Sequence, residues 1–322
     1  MKKVNAKKIV SWVGSGLMII SLGFLANRLF TAGMDFSLLS SPGVVVGLIM
    51  IAVVEGFGIV AAAANYHALI KNVSGIYVPR PFALFVYTVS NLYKYIPGGV
   101  LYVVGRNRLA VEAKELEHSK VALATIIEGV LIVLGAVLCA LVFSFSHSIN
   151  YVYENVISND TFSIFLIITV FVLSGIAVPI IIFRKKISIG FKKFWKKADI
   201  LKPLVLAKRF GFATLLMFLY GLTFVGTITF LGQEMNPSLA FTVLGLYLLA
   251  WLAGFLTPGA PSGLGIREAV MLMFLSSMVN ESILLSAMVV HRIVTVVGDV
   301  VAYGVCITFY KIKGRQEYED KQ

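Results

Sequence analysis

Long apolar runs separated by short polar linkers make up most of the chain. Such runs predict helices inserted in a membrane, since about 20 apolar residues cross a bilayer core. We predict ten of them, at roughly 9–29, 44–66, 81–96, 100–111, 119–145, 162–183, 210–231, 239–256, 268–279 and 282–310. The pattern therefore predicts an all-α polytopic membrane protein folded as a helical bundle. The composition agrees, because 58% hydrophobic and 14% charged residues leave too little polar surface for a soluble globule.

The basic residues are concentrated in a few polar segments. They cluster at the N-terminus, at the C-terminus and in a loop spanning 184–209. Four other linkers lack lysine and arginine, at 31–43, 147–160, 232–238 and 279–282. Because positive charge in short loops marks the cytoplasmic side, we expect both termini and the basic loop to be cytoplasmic. The formal net charge of +12 is then a topology signal, and we expect no nucleic-acid partner.

Two segments are broken by proline and glycine, and their flanks predict opposite orientations. The segment 81–111 has basic residues at both flanks and a turn at Pro97–Gly99, so both its ends are expected on the cytoplasmic side. The segment 239–279 lies between two linkers without basic residues and turns at Pro258–Gly265, so it is expected to enter from outside. We therefore predict two broken hairpins of opposite polarity.

The order of these segments repeats along the chain. A span, a hairpin and a long span occupy about 44–146, and the same order, upside down, occupies about 210–310. This predicts an inverted repeat within a single integral membrane domain covering 1–322, with 9–29 and 162–183 as peripheral helices. Inverted repeats with broken helices are typical of transporters that bind substrate where the repeats meet. An ordinary channel or structural membrane protein with a broken helix is the alternative.

The second turn has the composition of an anion site. A broken backbone in hydrocarbon is tolerated only inside protein or beside water, so both turns are expected to face an internal polar space. Amides at the start of a half-helix attract anions. We expect those around Gly263 and Gly265 to act with the guanidinium of Arg267, which can hold a phosphate through two parallel hydrogen bonds.

Several charged residues fall near the middle of apolar runs. Glu128 and Arg292 lie about nine and ten residues into their spans, close to the middle of a core about 30 Å thick. Isolated charges there cost at least about 2.5–3.5 kcal/mol, so they should be paired or face water. Structural ion pairs that clamp the hairpins are one interpretation. The other is a hydrated path lined by Arg106, Glu128, Arg267, Glu268, Arg292 and Asp299.

Spacing also relates the charges of the two halves. Arg106 follows Pro97 by nine residues and Arg267 follows Pro258 by nine, while Glu128 follows Pro97 by 31 and Arg292 follows Pro261 by 31. These spacings suggest that the two turns are equivalent and that Glu128 corresponds to Arg292.

Other polar residues and motifs narrow the choice of activity. Lys94, three residues before Pro97, either lines the first turn or extends to the membrane interface, and we favour the interface. Glu55 is a further buried acid, and His291 is weak evidence for a proton relay. The sequence has no HExxH zinc pair, no GxSxG elbow and no phosphate-loop lysine, so we expect neither a metal nor a nucleotide cofactor.

Two motifs carry a resemblance to a known family. The stretches NLYKYIPGGVLYVVGRNRLA (Asn91–Ala110) and LTPGAPSGLGIREAV (Leu256–Val270) resemble the two signature regions of the lysylphosphatidylglycerol synthase transmembrane family, the flippase-like domain. The second fits a Pro-Gly-Gly-x-Gly-x-Arg-Glu pattern, with Ser262 where glycine is usual. Glu128 and Arg292 look like the family's buried acid and arginine. The resemblance implies a bacterial or archaeal cytoplasmic membrane and the movement of an aminoacylated phospholipid between leaflets.

The residues and the resemblance together predict a flippase-like lipid transporter. Its partner would be a membrane phospholipid, anionic or aminoacylated, with Arg267 and Arg292 holding phosphate and Glu268 and Glu128 orienting them or receiving a cationic headgroup. The chain stops soon after its last span, so we expect no soluble aminoacyltransferase domain and no lysyltransferase activity. The alternatives are a membrane-embedded lipid-modifying enzyme and a scaffold for a separate one; self-association into a homo-oligomer stays open.

Overall fold

The computed structural model describes residues 40–95, 101–114, 116–151, 202–257 and 261–319. The predicted spans 9–29 and 162–183 and most of the basic loop lie outside these residues, as do parts of both turns. The described residues form eight α-helices: α1 Pro42–Ser74, α2 Arg80–Leu92, α3 Leu101–Lys114, α4 His118–Tyr151, α5 Pro203–Phe230, α6 Pro237–Leu256, α7 Ile266–Leu275 and α8 Glu281–Glu319. They contain no strand, and the predicted all-α class is confirmed.

The long helices extend further than hydropathy predicts. The chain is helical to Ser74 in α1 and to Glu319 in α8, whereas the apolar runs were expected to end near 66 and 310. The loop predicted at 184–209 is shorter at its C-terminal end, because α5 begins at Pro203, a residue suited to the first turn of a helix. Hydropathy detects the part of a helix that lies in hydrocarbon, and these helices continue beyond it.

Helix length separates spanning helices from half-length ones. Five of the described helices, α1, α4, α5, α6 and α8, contain a segment long and apolar enough to cross a membrane. The others are short: α7 has 10 residues and measures about 15 Å, half of a bilayer core. The second hairpin therefore pairs a full-length arm, the 20-residue α6, with a half-length arm, whereas the first hairpin joins α2 and α3 of 13 and 14 residues.

The contacts between helices have two-fold symmetry. If α1 to α4 are matched in order with α5 to α8, nearly every helix pair in contact has a counterpart in contact. The pairs are α1–α8 with α5–α4, α4–α6 with α8–α2, α1–α2 with α5–α6, α1–α4 with α5–α8, α2–α3 with α6–α7 and α3–α4 with α7–α8. The pair α1–α5 maps onto itself, as an axis between the two repeats requires.

Contacts along α1 and α5 show that the repeats are inverted. Rising residue numbers on α1 meet falling numbers on α5: Gly47 lies against Phe230, Ile51 against Gly226, Glu55 against Thr223 and Asn65 against Arg209. The two equivalent helices are thus antiparallel, and the described helices have the predicted inverted arrangement. The extension of a single domain over all 322 residues stays a prediction.

Each repeat has its own hydrophobic core. One cluster of buried side chains comes mostly from α1 to α4 and the other mostly from α5 to α8. Large apolar side chains also point outward, among them Phe57 with 72% of its surface exposed. Exposed apolar surface of this kind is expected of a bundle surrounded by lipid. Buried charged groups contact residues of both cores, since Arg106 lies over Tyr66 and Tyr87 and Arg267 lies over Tyr247.

Candidate functional site

The first repeat holds a closed ion pair. Arg106 on α3 donates from Nη1 to Glu128 Oε2 on α4 at 2.9 Å and from Nε to Ser90 Oγ on α2 at 3.0 Å. The second carboxylate oxygen of Glu128 accepts a 2.7 Å hydrogen bond from the Tyr87 hydroxyl. The guanidinium also lies over the rings of Tyr87 and Tyr66, 4.0 and 4.8 Å from their centroids.

This pair joins three helices in a fully enclosed setting. Arg106 is 2% exposed and Glu128 is 4% exposed, so neither reaches the space outside the bundle. A buried pair with good geometry and further hydrogen bonds is electrically neutral and costly to break. The geometry therefore favours the structural interpretation for Arg106 and Glu128.

The second repeat holds a buried arginine without a carboxylate. Arg267 near the start of α7 is 5% exposed, donates from Nη1 to the Tyr220 hydroxyl at 3.1 Å and lies over the Tyr247 ring at 4.7 Å. Its Nε and Nη2 atoms are buried and have no hydrogen-bond partner among the described residues. No described acid forms an ion pair with it. Each unpartnered N–H costs about 1–3 kcal/mol.

Glu268 and Arg292 form an ion pair next to this arginine. Arg292 on α8 donates from Nε to Glu268 Oε1 at 2.7 Å, and its side chain is 23% exposed. Its buried Nη2 atom has no hydrogen-bond partner among the described residues. The other oxygen of Glu268, the third residue of α7, accepts from the Gly265 amide at 2.7 Å and so caps the helix. The Gly265 amide, expected to be free for an anion, is therefore engaged within the chain.

The glycines of the second turn serve its backbone geometry. Gly263 and Gly265 have φ of 68° and 83°, values that favour glycine, and Ser262 has φ of 52° without being a glycine. A Cβ at Gly263 would lie 2.7 Å from the Cα of Gly254 at the end of α6. The turn thus packs closely against α6, and the same contact places Gly254 beside Arg267.

Asp299 binds the first hairpin instead of joining Arg292. It is 2% exposed, forms a 2.7 Å ion pair with Lys94, and accepts hydrogen bonds from Asn91 at 2.7 Å and from Tyr95. The expectation that Lys94 extends to the membrane interface is wrong, because a buried carboxylate offers a stronger partner than the interface does. The 3-10 turns Tyr93–Tyr95 and Pro261–Gly263 also contact each other, so the two hairpins meet here.

His291 lies among the side chains around Arg267 and bonds two of their neighbours. Its Nε2 is 2.8 Å from the Tyr247 hydroxyl and its Nδ1 is 2.9 Å from the Thr227 hydroxyl. Thr227 already donates to the Thr223 carbonyl, so its oxygen accepts from Nδ1–H, and Nε2 then accepts from Tyr247. This assignment makes the fully buried ring neutral.

The histidine corrects the equivalence that the proline spacing suggested. Glu128 and His291 each lie ten residues after the first residue of their helices, α4 and α8. Each also contacts the equivalent tyrosine, Tyr87 or Tyr247, through its hydroxyl. Glu128 therefore corresponds to His291 and not to Arg292, which lies one residue further along.

The predicted single path thus divides into three groups. They are an ion pair at Arg106, a cationic cluster with unpartnered donors at Arg267 and a junction at Asp299 that holds the hairpins together. Among the described residues no group of three or more metal-ligating side chains occurs. The cationic cluster has the chemistry of an anion site, because buried guanidinium N–H groups are strong donors without an acceptor.

Comparison with known proteins identifies the family. The family model described as the lysylphosphatidylglycerol synthase TM region matches residues 11–302, which include every helix described above except the last turns of α8. No curated protein matches the chain. The match agrees with a multi-pass membrane protein and with a function connected to membrane lipids. The chain belongs to the lysylphosphatidylglycerol synthase transmembrane-region family, as its two turn motifs predicted.

Proposed function

We propose that the protein is a lipid transporter that binds an anionic or aminoacylated phospholipid by its phosphate and moves the headgroup between leaflets. One observation carries the proposal: Arg267 is a buried cation with two nitrogen donors, Nε and Nη2, that have no acceptor among the described residues. A charge left uncompensated inside an apolar bundle is destabilising, so it is retained for a ligand that compensates it.

An apolar groove beside the second turn supports a lipid as the ligand. It has a volume of about 360 Å³ and lies where Phe255 and Leu256, the last residues of α6, face α3 and α4. Its other walls are almost entirely apolar, including Val130 and Leu134 of α4. A groove of this size fits part of the acyl chain of a lipid whose headgroup lies at the Arg267 cluster.

The inverted arrangement supports movement of the headgroup from one side to the other. The turns of the two hairpins contact each other through Tyr93–Tyr95 and Pro261–Gly263, and Asp299 binds the first of them. In inverted-repeat transporters, rocking of one repeat against the other exposes a central site alternately to each face. The proposed movement is an exchange of the contacts between the two hairpins around the Arg267 cluster.

Leaflet exchange in proteoliposomes tests this proposal. Wild-type protein and the variant Arg267→Gln would be reconstituted with fluorescent phosphatidylglycerol, and a membrane-impermeant quencher would report the fraction in the outer leaflet over time. We expect exchange by wild type and at least a tenfold slower rate in the variant. Arg80→Gln is the matched control, since Arg80 is an exposed arginine at the start of α2. Equal rates in wild type and Arg267→Gln would refute the mechanism.

The same vesicles distinguish transport from chemistry. Mass spectrometry of the extracted lipids would show whether a new lipid species forms. A new species that depends on the protein, without leaflet exchange, would support a lipid-modifying enzyme instead. Exchange without a new species supports the transporter.

A further inference from the structure

The two repeats hold equivalent arginines in equivalent aromatic settings. Arg106 of the first repeat contacts Tyr66 on α1 and Tyr87 on α2. Arg267 of the second contacts Tyr220 on α5 and Tyr247 on α6. The helices that supply these tyrosines correspond under the two-fold relation, so the two pockets are built in the same way.

They differ in the residue supplied by the fourth helix. In the first pocket that residue is Glu128, whose carboxylate bridges Tyr87 and Arg106. In the second pocket it is His291, which bonds Tyr247 but carries no negative charge toward Arg267. The second pocket therefore has the arginine and the tyrosine of an ion-pair site and lacks the acid.

We propose that a single phosphodiester group of a phospholipid takes the place of this missing carboxylate, bound between Arg267 and Arg292, and that the neutral His291 is what leaves the donors of the second pocket unpaired for it. The ligand class rests on the proposed transport function, whereas the site rests on the comparison of the two pockets.

The unused donors indicate an oxyanion. Nε and Nη2 of Arg267 and Nη2 of Arg292 are three buried nitrogens without an acceptor among the described residues. Arg267, Arg292 and Glu268 together sum to one positive charge, and Glu55, a further acid near His291, forms no ion pair with either arginine among the described contacts. A singly charged group with several oxygens matches both the number of donors and the charge, and a phosphodiester is such a group.

Glu55 is the further acid that faces the pocket. Its Oε1 lies 4.0 Å from His291 Nε2 and accepts a hydrogen bond from Thr223. It forms no ion pair with Arg267 among the described contacts and so does not replace the missing carboxylate. It would repel a second carboxylate placed at position 291, and the test must allow for this.

The test restores the acid and measures binding without transport. The full chain is purified in a maltoside detergent, whose uncharged headgroup does not compete for the site. Thermal unfolding is followed with dihexanoyl phosphatidylglycerol, with inorganic phosphate and with dihexanoylglycerol, which has the same chains and no phosphate. A ligand that binds only the folded state raises the unfolding temperature by an amount that grows with the logarithm of its concentration above Kd, so the shifts report relative affinities.

The decisive comparison is Glu55→Gln/His291→Glu against Glu55→Gln alone. The glutamate at position 291 is expected to bridge Tyr247 and Arg267, as Glu128 bridges Tyr87 and Arg106. We expect phosphatidylglycerol to bind wild type and Glu55→Gln with similar affinity and the double variant at least tenfold more weakly. His291→Gln is the charge control, and because glutamine is neutral we expect it to retain binding.

Several outcomes would overturn the inference. They are equal affinity in Glu55→Gln and the double variant, no effect of phosphatidylglycerol on wild type beyond that of dihexanoylglycerol, and an equal effect of inorganic phosphate, which would indicate a free-anion site. If the double variant does not fold, Arg267→Gln replaces it, and retained binding there would also overturn the inference.

Failure of this inference is separable from failure of the proposed function. Binding that depends on the charge at position 291, without leaflet exchange, would leave the site intact and refute transport. Leaflet exchange that continues in the double variant would refute the site and leave transport intact.

Discussion

Replacing each of the two equivalent arginines by methionine separates a structural role from a functional one. Methionine has a length similar to that of arginine and introduces no new hydrogen-bonding group. Arg106→Met removes the partner of Glu128, and Arg267→Met removes a cation that no described acid pairs with. The stability changes should therefore differ, although both arginines are buried to nearly the same extent.

The magnitudes follow from the contacts of each arginine. Arg106→Met leaves Glu128 buried with a single hydrogen bond from Tyr87, and breaking a buried pair in this way costs about 3–5 kcal/mol. Arg267→Met loses one hydrogen bond from a charged donor to Tyr220, about 1.5–3 kcal/mol, and one ring contact, about 0.5–2 kcal/mol. It also removes two buried nitrogen donors without a partner, each a cost of about 1–3 kcal/mol. Because this loss and this gain are of similar size, we expect Arg267→Met to destabilise by less than the about 3–5 kcal/mol expected of Arg106→Met.

The assay is equilibrium unfolding in mixed micelles, in which a denaturing detergent replaces part of a mild one. Helix content and tryptophan fluorescence would be followed together, so that coincident transitions establish two-state behaviour. Leaflet exchange of the same samples completes the comparison. We expect Arg106→Met to lose stability and Arg267→Met to lose exchange. Equal destabilisation by the two substitutions would refute the distinction between an arginine paired with an acid and one without such a partner.

Three further predictions concern the hairpins. Asp299→Asn should lower the free energy of unfolding by about 1–3 kcal/mol. In a double-mutant cycle, Lys94→Met should destabilise the Asp299→Asn variant less than it destabilises wild type. Ser262→Gly should raise stability by about 1 kcal/mol in thermal unfolding, because the residue has φ of 52°; no gain would argue against strain there. Gly254→Ala should slow leaflet exchange, because its Cβ would lie 3.0 Å from the opposing turn, while Gly58→Ala, with nothing within 4 Å, should not.

Hydropathy and charge bias together predict most of the architecture. Five helices are long and apolar enough to cross a membrane, and the proline and glycine breaks correctly locate the ends of the half-length α7 and of the paired α2 and α3. The inverted order follows from which linkers carry basic residues. The ends of the long helices could not be predicted in this way, because helix propensity continues where hydrophobicity stops.

The candidate site is harder to predict, because buried charges look alike in sequence. Arg106 and Arg267 have the same spacing from a proline and the same apolar surroundings, yet one is paired and the other is not. A single histidine within an apolar run does not indicate in sequence that it occupies the position of an acid in the other repeat. A signal was present in the spacing of the tyrosines, since Tyr87 precedes Arg106 by 19 residues and Tyr247 precedes Arg267 by 20. The count relates the two arginines to within one residue but does not extend to the fourth helix, because Glu128 follows Tyr87 by 41 residues and His291 follows Tyr247 by 44.

The difference between the two pockets has a physical reason in the inverted repeat itself. Two identical pockets, each with its own acid, would both be neutral, and neither arginine would have a donor left for an anion. Two pockets without an acid would place two uncompensated arginines inside an apolar bundle. The free-energy cost of burying a charge would then arise at both sites and would have to be offset by packing. One acid and one histidine keep the arginine of the first repeat paired and leave the arginine of the second with unpartnered donors. The rate of exchange should therefore depend on the residue at position 291 more than on the pair Arg106–Glu128, provided that the pair remains intact.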